Sequence, residues 1–428
     1  MEGKALYGCS QIDAYKFQSK LGEGTFGEVH RGVHNDTQTV VALKEILLHN
    51  KMDGMPMTAL REIRILKSLD HQNVLELLDM AVKHGSRSLR ERSTFYIITP
   101  YMDHDLAGLL QNPVVRLTIP HIKCYMSQIL KGMNYIHQQK YMHRDIKAAN
   151  ILIDNRGNVK LADFGLARTY FEPPPTSHGA SAATHRYTAT VVTRWYRPPE
   201  LLLGDQYYTT AIDMWGVGCV FGEIFRRKPI FPGKSDSDQI HTIFKVLGSP
   251  NEDSMPGLNA LPEIHQLPAE PYPRTFDAFF ENIPASALSL LSGLLEVNPL
   301  TRLSALGALE SEFFTTGPPE AQPHELPIYK SSHELDARRQ KQSQRENERS
   351  SQNNGDPNAN LPHRPDPKWG DRRGPERIDH RRRTRALGFK IPHRPNLSGL
   401  DLVPPYRRSE AKQTGKEAKR PPPPALDY

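Results

Sequence analysis

The chain has 428 residues and a formal net charge of +7, and that charge is uneven: residues 315–428 hold 23 Lys and Arg against 15 Asp and Glu, whereas residues 1–314 hold 32 against 33. Three widely spaced cysteines, Cys9, Cys124 and Cys219, exclude a disulfide framework and fit a reducing compartment, and no Cys/His cluster has zinc spacing. No leader-like apolar run opens the chain and no stretch approaches the run of about 18 apolar residues that a membrane span needs, so the sequence reads as an intracellular soluble protein.

From Tyr15 to about Tyr101, short apolar runs alternate with Gly and polar turns, as in Phe17-Gln18-Ser19-Lys20-Leu21 and Thr39-Val40-Val41-Ala42-Leu43-Lys44. This spacing predicts an antiparallel sheet. One helix interrupts it over Met57 to Leu69, where Leu60, Ile63 and Leu66 recur at helical spacing just after Pro56. Lys83 to Thr94 has no period and reads as a surface loop. Beyond Leu106 the helical period dominates, in Cys124 to Ile136, Met214 to Phe225 and Ala287 to Leu295. The expected fold class is therefore α+β: a sheet-rich lobe over 15–102 and a mainly helical lobe over 103–314. After Phe314 the periodicity stops. Residues 315–428, which carry 17 of the 36 prolines, are expected to form a basic, disordered tail.

The first chemical motif is Gly22-Glu23-Gly24-Thr25-Phe26-Gly27-Glu28-Val29. Glycines at this spacing let backbone amides approach phosphates, but the pattern alone fits a hairpin turn or a dinucleotide fingerprint equally well. A dinucleotide fingerprint opens a helix and expects an acidic residue further on. Here the loop joins two strands, and Lys44 follows Gly27 by 17 residues, where a contact to the α- and β-phosphates of ATP requires a cation.

His143-Arg144-Asp145-Ile146-Lys147-Ala148-Ala149-Asn150 then precedes Asp163-Phe164-Gly165, with Pro198-Pro199-Glu200 beyond. In this order the motifs resemble a eukaryotic protein kinase from Leu21 to about Arg302. The resemblance implies the two-lobed kinase fold and ATP with Mg²⁺ as cofactors. It implies that Lys44 pairs with Glu62 and holds the α- and β-phosphates, that Asn150 and Asp163 hold Mg²⁺, that Asp145 accepts the proton of the substrate hydroxyl, and that Lys147 steadies the γ-phosphate. Leu21, Val29, Ala42 and Leu152 would enclose the adenine, with the hinge around Tyr101, Met102 and Asp103 and with Asp105 near the ribose. Glu200 would pair with Arg302 beneath the activation segment.

Pro56-Met57-Thr58-Ala59-Leu60-Arg61-Glu62 resembles the helix by which cyclin-dependent kinases dock a cyclin. By the same resemblance Arg61, Arg144 and Arg168 form a pocket for a phosphate on Thr188, placed there by an activating kinase. The Thr188-Ala189-Thr190 sequence and the cyclin helix argue against a MAP kinase. Three features are similar to the transcriptional branch: the TALRE helix, Lys147-Ala148-Ala149-Asn150, and Phe26 in place of a tyrosine. The stretch from Pro100 to Leu110 and the small Thr99 resemble a fungal Bur-type kinase, counterpart of the kinase of positive transcription elongation factor b. In that family Val191 has an unusual backbone and a carbonyl tied to Arg197, so substrates would carry Ser/Thr-Pro, since proline has no N–H to leave unpaired. The implied substrates are the C-terminal domain of RNA polymerase II and elongation factors, in the nucleus. A catalytically silent scaffold is the rival reading from another class, although Lys44, Glu62, Asp145, Asn150 and Asp163 are all present. In the tail, His380-Arg381-Arg382-Arg383-Thr384-Arg385 reads equally as a localisation signal, a nucleic-acid contact or a solvated charged segment.

Overall fold

The computed structural model describes residues 9–24, 27–47, 55–85, 93–188 and 191–334. The tail beyond Glu334, including the basic cluster 380–385, and Thr25 and Phe26 lie outside the described residues, as does the side chain of Glu23.

Among the described residues, the first lobe is a six-stranded sheet with one α-helix. In chain order its elements are β1 (Ser10–Gln11), β2 (Tyr15–Gly24), β3 (Gly27–His34), β4 (Val40–Ile46), α1 (Met57–Ser68), β5 (Asp79–Lys83) and β6 (Thr94–Pro100). The spatial order is β1-β5-β6-β4-β3-β2, antiparallel throughout except for the parallel pair β1 and β5. Period-two alternation on β4 sorts its residues. Val41 and Leu43 enter a small core with Ile12, Tyr15, Ala81, Tyr96 and Ile98. Ala42 and Lys44 therefore share the opposite face, and Ile46 on that side joins the core that holds Ile63 and Leu66 of α1. The buried residues of α1 are Ala59, Glu62, Ile63, Ile65 and Leu66. Leu60, expected in that stripe, is instead 44% exposed and Met57 is 70% exposed. Ile63 and Leu66 stay inward as expected, and Leu60 gives way because Glu62 must point inward to meet Lys44.

The second lobe comprises β7 (His104–Asp105), α2 (Leu106–Gln111), α3 (Ile119–Gln138), β8 (Tyr141–Met142), β9 (Ile151–Ile153), β10 (Val159–Leu161), β11 (Arg168–Thr169), α4 (Pro199–Leu202), α5 (Ala211–Arg226), α6 (Asp236–Leu247), α7 (Phe276–Phe279), α8 (Ala285–Leu294), α9 (Ala305–Leu309) and α10 (Glu312–Thr315). Helix α5 is buried on all sides from Ala211 to Ile224 and forms the centre on which the catalytic loop rests. Strands β7, β9 and β10 form a small sheet, and β8 pairs with β11.

The chain does not lose order at Thr315. Lys123, 1% exposed on α3, donates to the carbonyls of Thr316 and Pro318 at 2.5 and 2.6 Å. Ala321 N bonds to Pro120 O, Ala321 and Leu326 are buried, and the segment continues to Glu334. The expected boundary at 315 thus moves about 20 residues on, because this segment satisfies its backbone through side chains and neighbouring loops, which leave no period in the sequence.

Candidate active site

Lys44 leaves β4 on the face turned towards α1, and its Nζ donates to Glu62 Oε1 and Oε2 at 2.7 and 2.9 Å and to Asp163 Oδ1 at 3.2 Å. Burial alone would favour a neutral amine, but the Glu62 and Asp163 carboxylates outweigh it and hold the Lys44 pKa above its ordinary value. Burial likewise opposes charge on Asp163, yet Lys44 and then Lys147 keep its carboxyl below the usual range. The result is a fixed cation beside a fixed anion.

The catalytic loop is anchored from below. Asp213 on α5 accepts the backbone N–H groups of His143 and Arg144 at 2.8 and 2.7 Å, and its Oδ2 lies 3.0 Å from His137 Nε2. His143 is fully buried, which lowers its pKa and keeps the imidazole neutral, and its ring packs on Phe164 with centroids 4.8 Å apart. Above this base, Asp145 is held by three groups: Thr193 Oγ1 donates to Oδ1 at 2.8 Å, and Lys147 Nζ and Asn150 Nδ2 donate to Oδ2 at 2.8 and 3.0 Å. Arg144 and Asp163 have φ of 64° and 68°, the left-handed region, so two adjacent functional loops store backbone strain.

The residues present fit Mg²⁺. Asn150 uses its amide nitrogen on Asp145 O and Oδ2, leaving its oxygen to pair with the Asp163 carboxylate as a hard, all-oxygen donor set. Around the cleft, Ala42 lies opposite Thr99, Val29 opposite Lys44 and Leu152 opposite Asp105 in strand register. Leu21, Gly22, Val29, Ala42 and Leu152 are half-buried and Met102 is buried, as walls of an open cleft should be. In the β2–β3 hairpin Glu23 pairs with Glu28 and Gly24 with Gly27. The Glu28 side chain accepts from Lys20 Nζ at 2.6 Å and lies 3.0 Å from His30 Nε2.

Two expectations meet a different arrangement. Asp105, expected near a ribose, has both carboxylate oxygens engaged: Oδ1 accepts Gly108 N at 2.7 Å, capping α2, and Oδ2 accepts Glu334 N at 2.8 Å. The C-terminal segment lies along the hinge here, with Ser331 Oγ donating to Asp103 O and Ser332 Oγ 3.0 Å from His104 Nδ1. The unusual backbone expected at Val191 belongs to Val192, with φ of 69°. Arg197 ties both carbonyls, Nε to Val191 O and Nη2 to Val192 O, each at 3.0 Å.

The three arginines converge: Arg61 donates to Gly165 O, Arg144 to Leu166 O, and burial together with Arg168 and Arg144 lowers the Arg61 pKa. Arg61 and Arg168 line a surface cavity of 310 Å³ with Met57, Leu60, Arg64 and Tyr141. The Thr188 side chain is exposed, while its carbonyl accepts Tyr208 OH at 2.7 Å. Glu200 and Arg302 form a bidentate pair at 2.7 and 3.0 Å, both at most 1% exposed. Asp213, Thr193 and Tyr208 were not singled out from the sequence. Each is one polar residue within an otherwise ordinary stretch, and only the fold brings it to the catalytic loop.

A carboxylate held by three donors, a lysine paired with two carboxylates and an oxygen donor set bring together the residues that the kinase resemblance assigned to phosphoryl transfer. The sequence profile of the protein kinase domain matches residues 15–314, and the chain belongs to the protein kinase family. Among its relatives, a serine/threonine-protein kinase of the Bur type from Yarrowia lipolytica is 54% identical over 79% of this chain and 48% of its own length. The probable cyclin-dependent kinase 9 of Schizosaccharomyces pombe is 48% identical over 78% of this chain and 57% of its own length. The chain thus spans about half the length of these relatives. The crystal structure of the yeast RNA Pol II CTD kinase CTDK-1 complex is similar with a TM-score of 0.64 and 37% identity, covering 75% of this chain and 99% of the solved one.

Proposed function

We propose that the chain is a cyclin-dependent serine/threonine kinase that phosphorylates Ser/Thr-Pro sites in the C-terminal domain of RNA polymerase II and in elongation factors, acting in the nucleus. The observation that carries this reading is Lys44 bridging Glu62 and Asp163, together with an Asp145 held by Thr193, Lys147 and Asn150. Phosphoryl transfer has a loose transition state, so positioning and charge neutralisation supply most of the catalysis. Asp145 takes the proton of the substrate hydroxyl as its oxygen bonds to the γ-phosphorus and the bond to the ADP oxygen breaks. Lys44 orients the α- and β-phosphates, and Lys147 offsets charge on the transferred group. Mg²⁺, held by Asn150 and Asp163, would neutralise the phosphate oxygens. The names of the relatives support the cyclin partner and the polymerase substrate.

The Val191–Arg197 tie supports proline after the target, and the convergent arginines support activation by phosphate on Thr188. The test is phosphorylation of a Ser-Pro heptad peptide by the cyclin complex, with Asp163→Asn as control. Wild-type activity more than about 10²-fold above the control is expected. Equal activity would establish the silent scaffold.

A further inference from the structure

The activation segment carries a buried carboxylate that no step above uses. Glu172 is 4% exposed, and its Oε1 accepts the backbone N–H of Thr184 at 2.7 Å and of His185 at 2.9 Å, with Thr184 Oγ1 at 3.2 Å and His185 Nδ1 at 3.1 Å. Residues 173–183, Pro-rich at one end and small at the other, are thereby looped out. This loop rests on the helical lobe, where a Cβ on Gly307 would come within 2.4 Å of Ser177 O. From the closed end the contacts run towards the catalytic loop. Tyr187 OH accepts from Phe171 N at 3.3 Å and donates to Glu172 Oε2 at 3.4 Å, and its ring packs 5.2 Å from that of Tyr208. Tyr208 OH in turn donates to Thr188 O and accepts Arg144 Nη1 at 2.8 Å.

We propose that Glu172 is a positioning residue: by closing the loop 173–183 on itself, it fixes Tyr187 and Thr188 against Tyr208 and Arg144 independently of that loop's length or sequence. Closing a loop costs chain entropy, and charge-assisted bonds to two consecutive amides offset it at one point. Burial would raise the Glu172 carboxyl, but the Thr184 and His185 amides, with the His185 ring, outweigh it and hold its pKa down at about 2. The group is therefore an anion wherever the kinase works. The segment it fixes leads directly into Val191–Thr193, so the effect reaches the peptide more than the nucleotide.

The inference rests on the reading of Thr188 as the phosphate acceptor. The test uses the full chain with its co-purified cyclin and compares Glu172→Ala in two backgrounds, the natural loop and one in which residues 173–183 are replaced by two glycines. In the natural loop, Glu172→Ala removes the bonds to both amides and is expected to raise the KM for a Ser-Pro peptide at least about tenfold and to leave the KM for ATP unchanged. Hydrogen exchange at the Thr184 and His185 amides should accelerate. In the shortened loop, where closure is covalent, the same substitution should change the peptide KM less than about twofold. An unchanged peptide KM in the natural loop, or an equal loss in both backgrounds, overturns the proposal. Thr188→Ala separates the two readings: full activity there overturns the acceptor reading and the positioning of Thr188 with it, whereas unchanged amide exchange in Glu172→Ala overturns the loop closure alone.

Discussion

Asp145 shows how one side chain is aimed. Lys147 and Asn150 belong to its own loop, but the hydroxyl of Thr193 reaches it from 48 residues away and fixes the second oxygen. Replacing Thr193 with Val keeps the shape and removes that donor. A small misplacement of a reacting group is expected to lower kcat roughly 10²-fold while the KM for ATP is unchanged, measured by steady-state kinetics on the peptide. Lys44, Glu62, Asp145, Asn150 and Asp163 were legible through the family resemblance that the ordered motifs carry. Thr193 was not, because its role depends on the activation segment returning to the catalytic loop. Nor was Val192, since the tie from Arg197 to two successive carbonyls is a property of backbone shape.

Glu223 sits beneath the same site, 5% exposed, with Tyr196 OH donating to it at 2.6 Å. Burial, opposed by that bond and reinforced by Glu334, pushes its carboxyl up to about 7. A raised carboxyl pKa means the folded state holds its proton to higher pH than the unfolded chain, so stability falls as pH rises from the ordinary carboxylate range towards 7. Glu223→Gln keeps an acceptor for Tyr196 and removes the titration. It should be more stable than wild type at pH 8, by up to about 3 kcal/mol, with the difference vanishing near pH 4.5, as read by unfolding at the two pH values.

At the scale of elements, helix α1 was predicted in the right place, with Ile63 and Leu66 inward as expected and Leu60 the exception. Its apolar residues alone nominated Leu60, but a carboxylate that must reach Lys44 turns the helix so that Glu62 is buried and Met57 and Leu60 face outward. The exposed apolar pair beside Arg61 and Arg64 is where the proposed cyclin would dock. Leu60→Asp should therefore leave the melting temperature of the free chain within a degree or so, because an exposed position contributes little to folding. It should weaken cyclin binding at least about tenfold, measured by titration with the purified cyclin, because a buried interfacial charge would lack a partner. The sheet was legible as an element: the apolar run Thr39 to Lys44 marked a strand where the structure forms β4, while the sorting of Val41 and Leu43 from Ala42 and Lys44 came only with the packing.

For the whole described molecule, the question is where the folded catalytic unit ends. Composition and the family profile both place the end at 314, where apolar periodicity stops. The bonds carry it at least as far as Glu334. Lys123 is a buried cation whose bonded acceptors include the carbonyls of Thr316 and Pro318, and Asp105 Oδ2 accepts the amide of Glu334. Cutting the chain after Phe314 would strand both, at about 1–3 kcal/mol for each unsatisfied buried group. A domain of this size loses about 2–4 °C per kcal/mol. The chain ending at Phe314 should thus melt at least about 4 °C below the chain ending at Glu334, measured by calorimetry. The chain ending at Glu334 should match the full-length protein both in melting and in its KM for ATP, although it has lost residues 335–428, which hold 22 Lys and Arg against 12 Asp and Glu. Equal melting of the two shorter chains would show that residues 315–334 contribute nothing to the fold, and would restore the boundary that composition alone indicates.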